Sequence, residues 1–327
     1  MPELPDVELY LHALRPRVIG HRLERVRIAS PFLLRSVAPP LVSAEGRRVE
    51  SLARLGKRIV FELEGELFLV IHLMIAGRFR WKDSGAAVPG KVGLAAFDFD
   101  NGTLVLTEAS ARKRASLHVL HGELAVAGQD RGGLEVLAAT SSAFAARLLL
   151  EKRTLKRVLT DPRLFAGIGN AYSDEILHAA KLSPTQLTTN LDESEVARLF
   201  ATTRRVLETW RTRLIAEIGD RFPEKVTAFR EGMAVHGRFG KPCPECGTPV
   251  QRIRYAANEC NYCPRCQTGG RLLADRALSR LLGEDWPRSL EELEEMQLTS
   301  RSTISSGPPR GDEKPQSRAR TSRAKAT

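Results

Sequence analysis

The sequence has no apolar run approaching the roughly 18 to 20 residues needed to cross a bilayer. Its first ten residues, MPELPDVELY, place acids and prolines where a secretory signal needs basic residues and then an apolar stretch. A soluble cytoplasmic protein without membrane contact is therefore expected. Cysteine is confined rather than spread: all five lie between Cys243 and Cys266. Clustered pairs in such a chain point to metal rather than to disulfides stapling distant segments. Acidic residues are outnumbered, and the net charge is +11. The last 55 residues hold ten Lys/Arg and nine Asp/Glu, a net of +1, so +10 resides in residues 1–272. A basic body favours a polyanionic partner, most simply nucleic acid.

With 327 residues and 42% hydrophobic content, the chain can build two or three modest cores. Residues 1–130 read as β structure behind one leading helix. Val7, Leu11 and Leu14 share a helical face that is expected to end at Pro16. Runs at Arg58–Glu62 and Glu66–His72 flank a Glu64-Gly65 turn, and Asn101-Gly102 marks a hairpin. Many strands at this spacing suggest a sandwich or barrel. Residues 131–233 read as helical, with long periodic segments at Ser142–Leu159 and Glu193–Glu217. Residues 234–270 are short, glycine-rich and hairpin-like. Residues 271–298 form an extension with helices expected at Leu272–Leu282 and Ser289–Gln297. Residues 299–327 lack apolar periodicity and read as a disordered tail. The fold class is α+β and multidomain.

The cysteines run Cys243-Pro-Glu-Cys246, sixteen residues, then Cys263-Pro-Arg-Cys266. Two such knuckles can present four thiolates tetrahedrally to one structural zinc ion. Cys260 competes, because Cys260–Cys263 has the same spacing. The shared Cys-Pro-x-Cys pattern favours Cys243, Cys246, Cys263 and Cys266. Four thiolates leave no open coordination position, so the metal would hold a hairpin that a short segment cannot stabilise alone.

Met-Pro is a start from which the initiator methionine is normally removed. Pro2 then presents a secondary amine able to attack an electrophilic carbon. An α-amino group near 7.7–8.0 is on the order of ten percent neutral at pH 7, against well under a tenth of a percent for an unperturbed lysine. Glu3 comes directly after it and is placed to act as general acid/base. Asp6, one helical turn later, suits a helix start.

Several separated motifs resemble the formamidopyrimidine-DNA glycosylase/endonuclease VIII family of base-excision repair enzymes. They are Met1-Pro-Glu-Leu-Pro-Asp6, Arg54-Leu-Gly-Lys57, His72-Leu73 with Gly77, Gly167-Ile-Gly-Asn170-Ala-Tyr-Ser-Asp-Glu175, and the hairpin introduced by Gly237-Arg-Phe-Gly-Lys-Pro-Cys243. They stand in the family's order from residue 1 to about 267. The resemblance implies an N-terminal β-sandwich with a leading helix, a helix-two-turns-helix domain and a C-terminal zinc β-hairpin. It implies a monomer that binds damaged double-stranded DNA, extrudes the damaged nucleotide and attacks its C1′ with Pro2. Glu3 would assist base loss, and Lys57 would contact DNA near the lesion. Asn170, His72, Arg112, Lys156 and Asn258 would be further DNA contacts; His72 reads equally as a strand histidine.

The chain departs from the family where the lesion is read. Asp6 replaces a glutamate, Ile75 stands where a methionine usually fills the gap left by the extruded base, and Thr107–Ser116 offers basic residues without an aromatic. Asn258 replaces a hairpin arginine, a charge that Arg252 or Arg254 on the same hairpin could supply. Three functions are thus in play: a glycosylase/lyase for oxidised purines, one for oxidised pyrimidines, and an inactive zinc-containing DNA-binding protein.

Overall fold

A computed structural model describes residues 1–255, 258–274 and 280–305. Helix α1 spans Leu4–Val18. Its first turn carries Pro5, whose missing N–H costs nothing there, and the Asp6 carboxylate accepts the Glu3 N–H at 2.9 Å. Pro16 does not end the helix as expected. It lies in the last turn, where one lost backbone bond is tolerated, and fully buried Val18 closes the element.

Eight strands come next: β1 Arg22–Ile28, β2 Arg47–Leu55, β3 Arg58–Leu63, β4 Leu67–His72, β5 Gly77–Lys82, β6 Gly93–Phe99, β7 Gly102–Glu108 and β8 Ser116–His121. Their order is β5-β7-β6-β1-β2-β3-β4-β8. Strands β1 and β2 pair only at Arg22↔Arg48 and Leu23↔Arg47, so the sheet folds there into two four-stranded layers. Leu23, Phe79 and Phe97 from one layer meet Ile59, Phe61, Leu69 and Ile71 from the other in a single core. This is the expected β-sandwich, and the Asn101-Gly102 hairpin joins β6 to β7. The outer face of β3, β4 and β8 buries Val60, Phe68 and Val70 beneath Val126 of helix α2, Glu123–Ala127.

The helical domain holds α3 Ser141–Leu148, α4 Leu155–Thr160, α5 Asn170–Ala179 and α6 Glu193–Ile218. The continuous helix expected over Ser142–Leu159 is broken between α3 and α4. There the segment Pro184–Thr188 captures the backbone: Leu155 N–H bonds Gln186 O, Lys156 N–H bonds Pro184 O, and Thr188 N–H bonds Arg153 O. Phe144, Phe165 and Tyr172 belong to the same core as the sandwich, so the two halves share one interior.

A two-stranded hairpin, β9 Gln251–Tyr255 and β10 Asn258–Tyr262, leads into the short helix α7, Pro264–Thr268. The helix expected from Leu272 does not begin there. Leu272 N–H bonds Arg288 O, and Leu273 N–H bonds the Tyr262 hydroxyl at 2.8 Å; residues 275–279 of that expectation lie outside the described residues. The last helix runs Leu290–Ser305, past the boundary expected at residue 299. No proline or glycine interrupts that stretch before Gly307. The rest of the expected tail, 306–327, lies outside the described residues.

Arg54, mostly buried, ties these parts together. It bonds Glu8 of α1 at 3.0 Å and Glu135 beyond the sandwich at 2.5 Å, and it also donates to Gly56 O at 2.9 Å. Arg54→Ala should leave the mostly covered Glu8 carboxylate without its partner and free the more exposed Glu135, destabilising the fold by about 2 kcal/mol. Denaturant unfolding checks this, and a midpoint equal to that of the unchanged protein would rule Arg54 out as a tether.

Candidate active site and zinc module

The N-terminus is held against the start of α5. Leu4 N–H donates to Gly167 O at 2.9 Å. The buried Glu3 carboxylate accepts from Gly169 N–H at 2.6 Å, Ala171 N–H at 2.9 Å and Tyr172 N–H at 3.2 Å. These are donors that a helix start leaves without internal partners, and they lie at its positive pole. Residue 169 must be glycine here. A Cβ would stand 2.5 Å from Glu3 Cδ and 2.7 Å from Lys57 Nζ. The same distances show that Glu3 and Lys57 converge on one point. Gly167, at φ +78°, is equally constrained, because a Cβ would meet Leu4 Cβ at 2.8 Å.

Lys57 projects from the β2–β3 turn and is half-buried. Burial lowers its pKa, opposed by the charges of Glu3 and Asp6. The amino group at residue 1 is also lowered by burial, again against Glu3. Pro2 itself is buried. Asp6 does more than start a helix: its second oxygen accepts from Arg230 Nη2 at 2.6 Å. Burial raises its pKa and Arg230 opposes that. Sequence reasoning missed Arg230, which lies 224 residues away with no motif around it.

Helix α5 also carries the zinc module. Its Asp174 accepts from His236 Nδ1 at 2.8 Å, and its Glu175 accepts from the backbone N–H groups of Ala234, Val235 and His236 at 2.7 to 2.9 Å. Asn170 Nδ2 donates to Glu259 O on the hairpin at 2.8 Å. Asp174 and Glu175, at the end of the Gly167–Glu175 motif, thus dock the segment that leads into the metal site. The sulfurs of Cys243, Cys246, Cys263 and Cys266 lie within 4.8 Å of one another. His178 Nε2 stands 3.3 Å from Cys243 Sγ, and burial pushes that ring's pKa down to about 4. An all-thiolate donor set with a histidine supporting one sulfur fits one structural zinc ion. Cys260 is buried outside this group.

The remaining expected contacts divide. His72 is neutral: burial, with Arg58 and Lys57 nearby, pushes its pKa down to about 4. Its Nδ1 accepts the Met74 N–H at 2.9 Å, so the ring proton sits on Nε2 and offers a phosphate a donor without charge. Arg112 is exposed on the β7–β8 loop, which Glu108 fastens by accepting from Arg114 and Ala115 N–H. Ile75 is 59% exposed at the tip of the β4–β5 loop. The Asn258 side chain lies outside the described residues. Arg252 is engaged with Glu259 at 3.6 Å and stacks over Phe239 at 4.1 Å.

Lys156, expected as a DNA contact, is buried and engaged within the protein. Its three ammonium donors go to Asn170 O at 2.6 Å, Ser173 Oγ at 2.7 Å and Asp174 Oδ1 at 2.5 Å. A saturated, buried ammonium has nothing left for a phosphate; it braces the first turn of α5 from below.

Three domain matches cover the chain in this order. Residues 1–116 match the formamidopyrimidine-DNA glycosylase N-terminal domain, residues 134–210 its H2TH domain, and residues 240–269 the zinc finger found in FPG and IleRS. A formamidopyrimidine-DNA glycosylase from Thermus thermophilus is 37% identical over 285 residues, covering 83% of this chain and all of that protein. The chain belongs to the formamidopyrimidine-DNA glycosylase family. The Symbiobacterium thermophilum member is 34% identical over 283 residues, covering 82% of this chain and 89% of that one. Among solved structures, the Lactococcus lactis family member bound to DNA containing an oxidised pyrimidine matches with a TM-score of 0.72 at 25% identity, covering 82% of this chain and all of that one. The same protein with abasic-site DNA matches with a TM-score of 0.71 at 25% identity, over 81% and 99%. As a member of this family the chain is a DNA glycosylase of base excision repair. Among the described residues, no helix of the fold is long and apolar enough to cross a membrane.

Two outcomes are expected from this geometry. Lys156→Met should leave Asp174 buried beside an apolar neighbour and destabilise the fold by about 3 kcal/mol. The salt dependence of DNA affinity should stay unchanged; a shallower slope would return Lys156 to the phosphate contacts. Stripping zinc with a chelator should abolish specific DNA binding while most β-sheet circular dichroism persists, since the sandwich core does not include the cysteines. Undiminished binding by the metal-free protein would show that the hairpin is dispensable.

Proposed function

We propose that the chain is a bifunctional glycosylase and abasic-site lyase that removes oxidised purines, 8-oxoguanine and formamidopyrimidines, through the amine of Pro2. The convergence of Glu3 and Lys57 at Gly169, beside the first residues of the chain, carries the reading. Removal of Met1 would move the α-amine onto Pro2, within the surroundings that already lower the pKa of the preceding amine. A lowered pKa leaves more of the amine neutral and nucleophilic at pH 7.

The Pro2 nitrogen pair then forms a bond to C1′ of the extruded nucleotide. The C1′–base bond breaks, and the base departs with its bonding pair and a proton. Glu3 is the group placed to shuttle that proton and to open the sugar ring. The resulting iminium acidifies the C2′ hydrogens. Loss of one of them expels the 3′ phosphate and breaks the strand. Lys57, Asn170 and His72 would hold flanking phosphates, and exposed Ile75 would enter the gap in the duplex as an apolar wedge. Zinc does no chemistry in this scheme.

Borohydride should trap the mature protein on abasic or lesion DNA, with the adduct mapping to Pro2. Glu3→Gln should lower base removal by about 10²-fold or more and retain trapping on preformed abasic sites. A mature protein that gives no adduct on any such DNA has lost the proposed chemistry, which would favour a DNA-binding role alone. A second specificity, for oxidised pyrimidines, is favoured by the aliphatic Ile75 tip and by the lack of an aromatic in Thr107–Ser116. Turnover across a lesion panel separates the two: faster removal of oxidised pyrimidines than of 8-oxoguanine would replace the first reading.

A further inference from the structure

The outer face of the second sandwich layer ends in a group of basic residues. Register places Arg58, His72 and Ser116 side by side across β3, β4 and β8. His118 lies two residues farther along β8, on the same face as Ser116. Burial chiefly disfavours the Arg58 charge, and Arg131, just beyond α2, adds to this, while Asp130 acts in the other direction. Arg35 and Arg58 both act on His118.

Other half-buried arginines have partners: Arg17, Arg47 and Arg78 donate to backbone carbonyls, and the most buried ones hold acids. Arg27, Arg54 and Arg230 each hold a carboxylate at 2.5 to 3.0 Å. Among the described residues Arg58 and Arg131 make no such ion pair. His118 Nδ1 is buried without a hydrogen-bond partner. Arg58 is half-buried and Arg131 exposed, so a like-charge pair with one desolvated member costs stability unless an anion joins it. The group is also continuous with the active site, because His72 feels Lys57 and the chain's amino terminus as well as Arg58 and Arg131.

We propose that Arg58 and Arg131 form an accessory phosphate site. It would lead the duplex backbone around the rim of the sandwich, beyond the nucleotides held at Lys57 and His72. The anions are consecutive DNA backbone phosphates, and the contacts carry charge without reading sequence. The site deepens the DNA-glycosylase reading and does not depend on which lesion is removed.

The test is the Arg58→Gln/Arg131→Gln double variant of the full chain, zinc-loaded. Each phosphate contact contributes about 0.9 to the slope of log affinity against log salt. The slope on a long lesion-containing duplex should therefore fall by about 2. On a series of duplexes shortened stepwise on either side of the lesion, the affinity lost to the substitutions should vanish once the phosphates of that flank are gone. The melting temperature without DNA should not fall, because a repulsive pair has been neutralised. Arg58→Lys/Arg131→Lys should recover most of the slope.

An unchanged slope overturns the proposal. So does an equal affinity loss on every duplex length, or failure of the lysine variant to restore binding. A drop in melting temperature with the slope intact would make the pair structural and also overturn it. Borohydride trapping of the double variant at saturating abasic DNA and low salt should match the unchanged protein. That keeps a failure of this site distinguishable from a failure of the Pro2 chemistry.

Discussion

The rest of the structure depends on one carboxylate seated on the amino end of one helix. Glu3 satisfies three backbone donors that the start of α5 leaves open. A helix start needs an acceptor and a buried carboxylate needs donors, so each solves the other's problem. The consequence is geometric. Residues 166 to 169 positions apart become neighbours, and the first residues of the chain are fixed between the sandwich and the helical domain. Glycine at 169 is the condition for this approach, since a side chain there would occupy the space in which Glu3 and Lys57 meet.

Helix α5 then acts as a bracket with two attachments. Its first turn holds the N-terminus, and Asn170, Asp174, Glu175 and His178 hold the segment that leads into the zinc module. The buried charges behind it are matched: Lys156 faces Asp174, and Asp174 also receives His236. Burying such groups is expensive unless every donor and acceptor is met. The Lys156 ammonium and the Asp174 carboxylate have theirs met, and the penalty for a misplaced partner favours this arrangement of helix and hairpin.

Charge is used in two ways across the molecule. Where parts of the protein join, arginines and lysines are paired and structural, as at Arg54 and Lys156. Along the rim near His72, Arg58 and Arg131 form no ion pair among the described residues, although Asp130 lies close to Arg58. The first use sets shape, and the second is the basis of the proposed phosphate site. Net charge alone does not separate the two.

Local chemistry was legible in the sequence wherever a few adjacent residues settle the matter. The Asn101-Gly102 hairpin, the four metal-ligand cysteines, the alternating strands and the long helix α6 each come from turn preference, ligand spacing or periodicity. The Pro2-Glu3 pair and Gly167-Ile-Gly-Asn170 could be recognised through the family resemblance as belonging to one DNA site, though the sequence does not show how they touch. Tertiary structure decided what depends on distant partners. It broke the helix expected over Ser142–Leu159, because Pro184–Thr188 offered better backbone acceptors. It committed the Lys156 ammonium to partners on α5, and it brought Arg230 to Asp6. A side chain's donors are committed by whatever folds against them, and no spacing within a short motif records that. Residue type and spacing determined the parts and the available chemistry; the close approach of Glu3, Lys57 and Gly169 was decided by packing around one shared core.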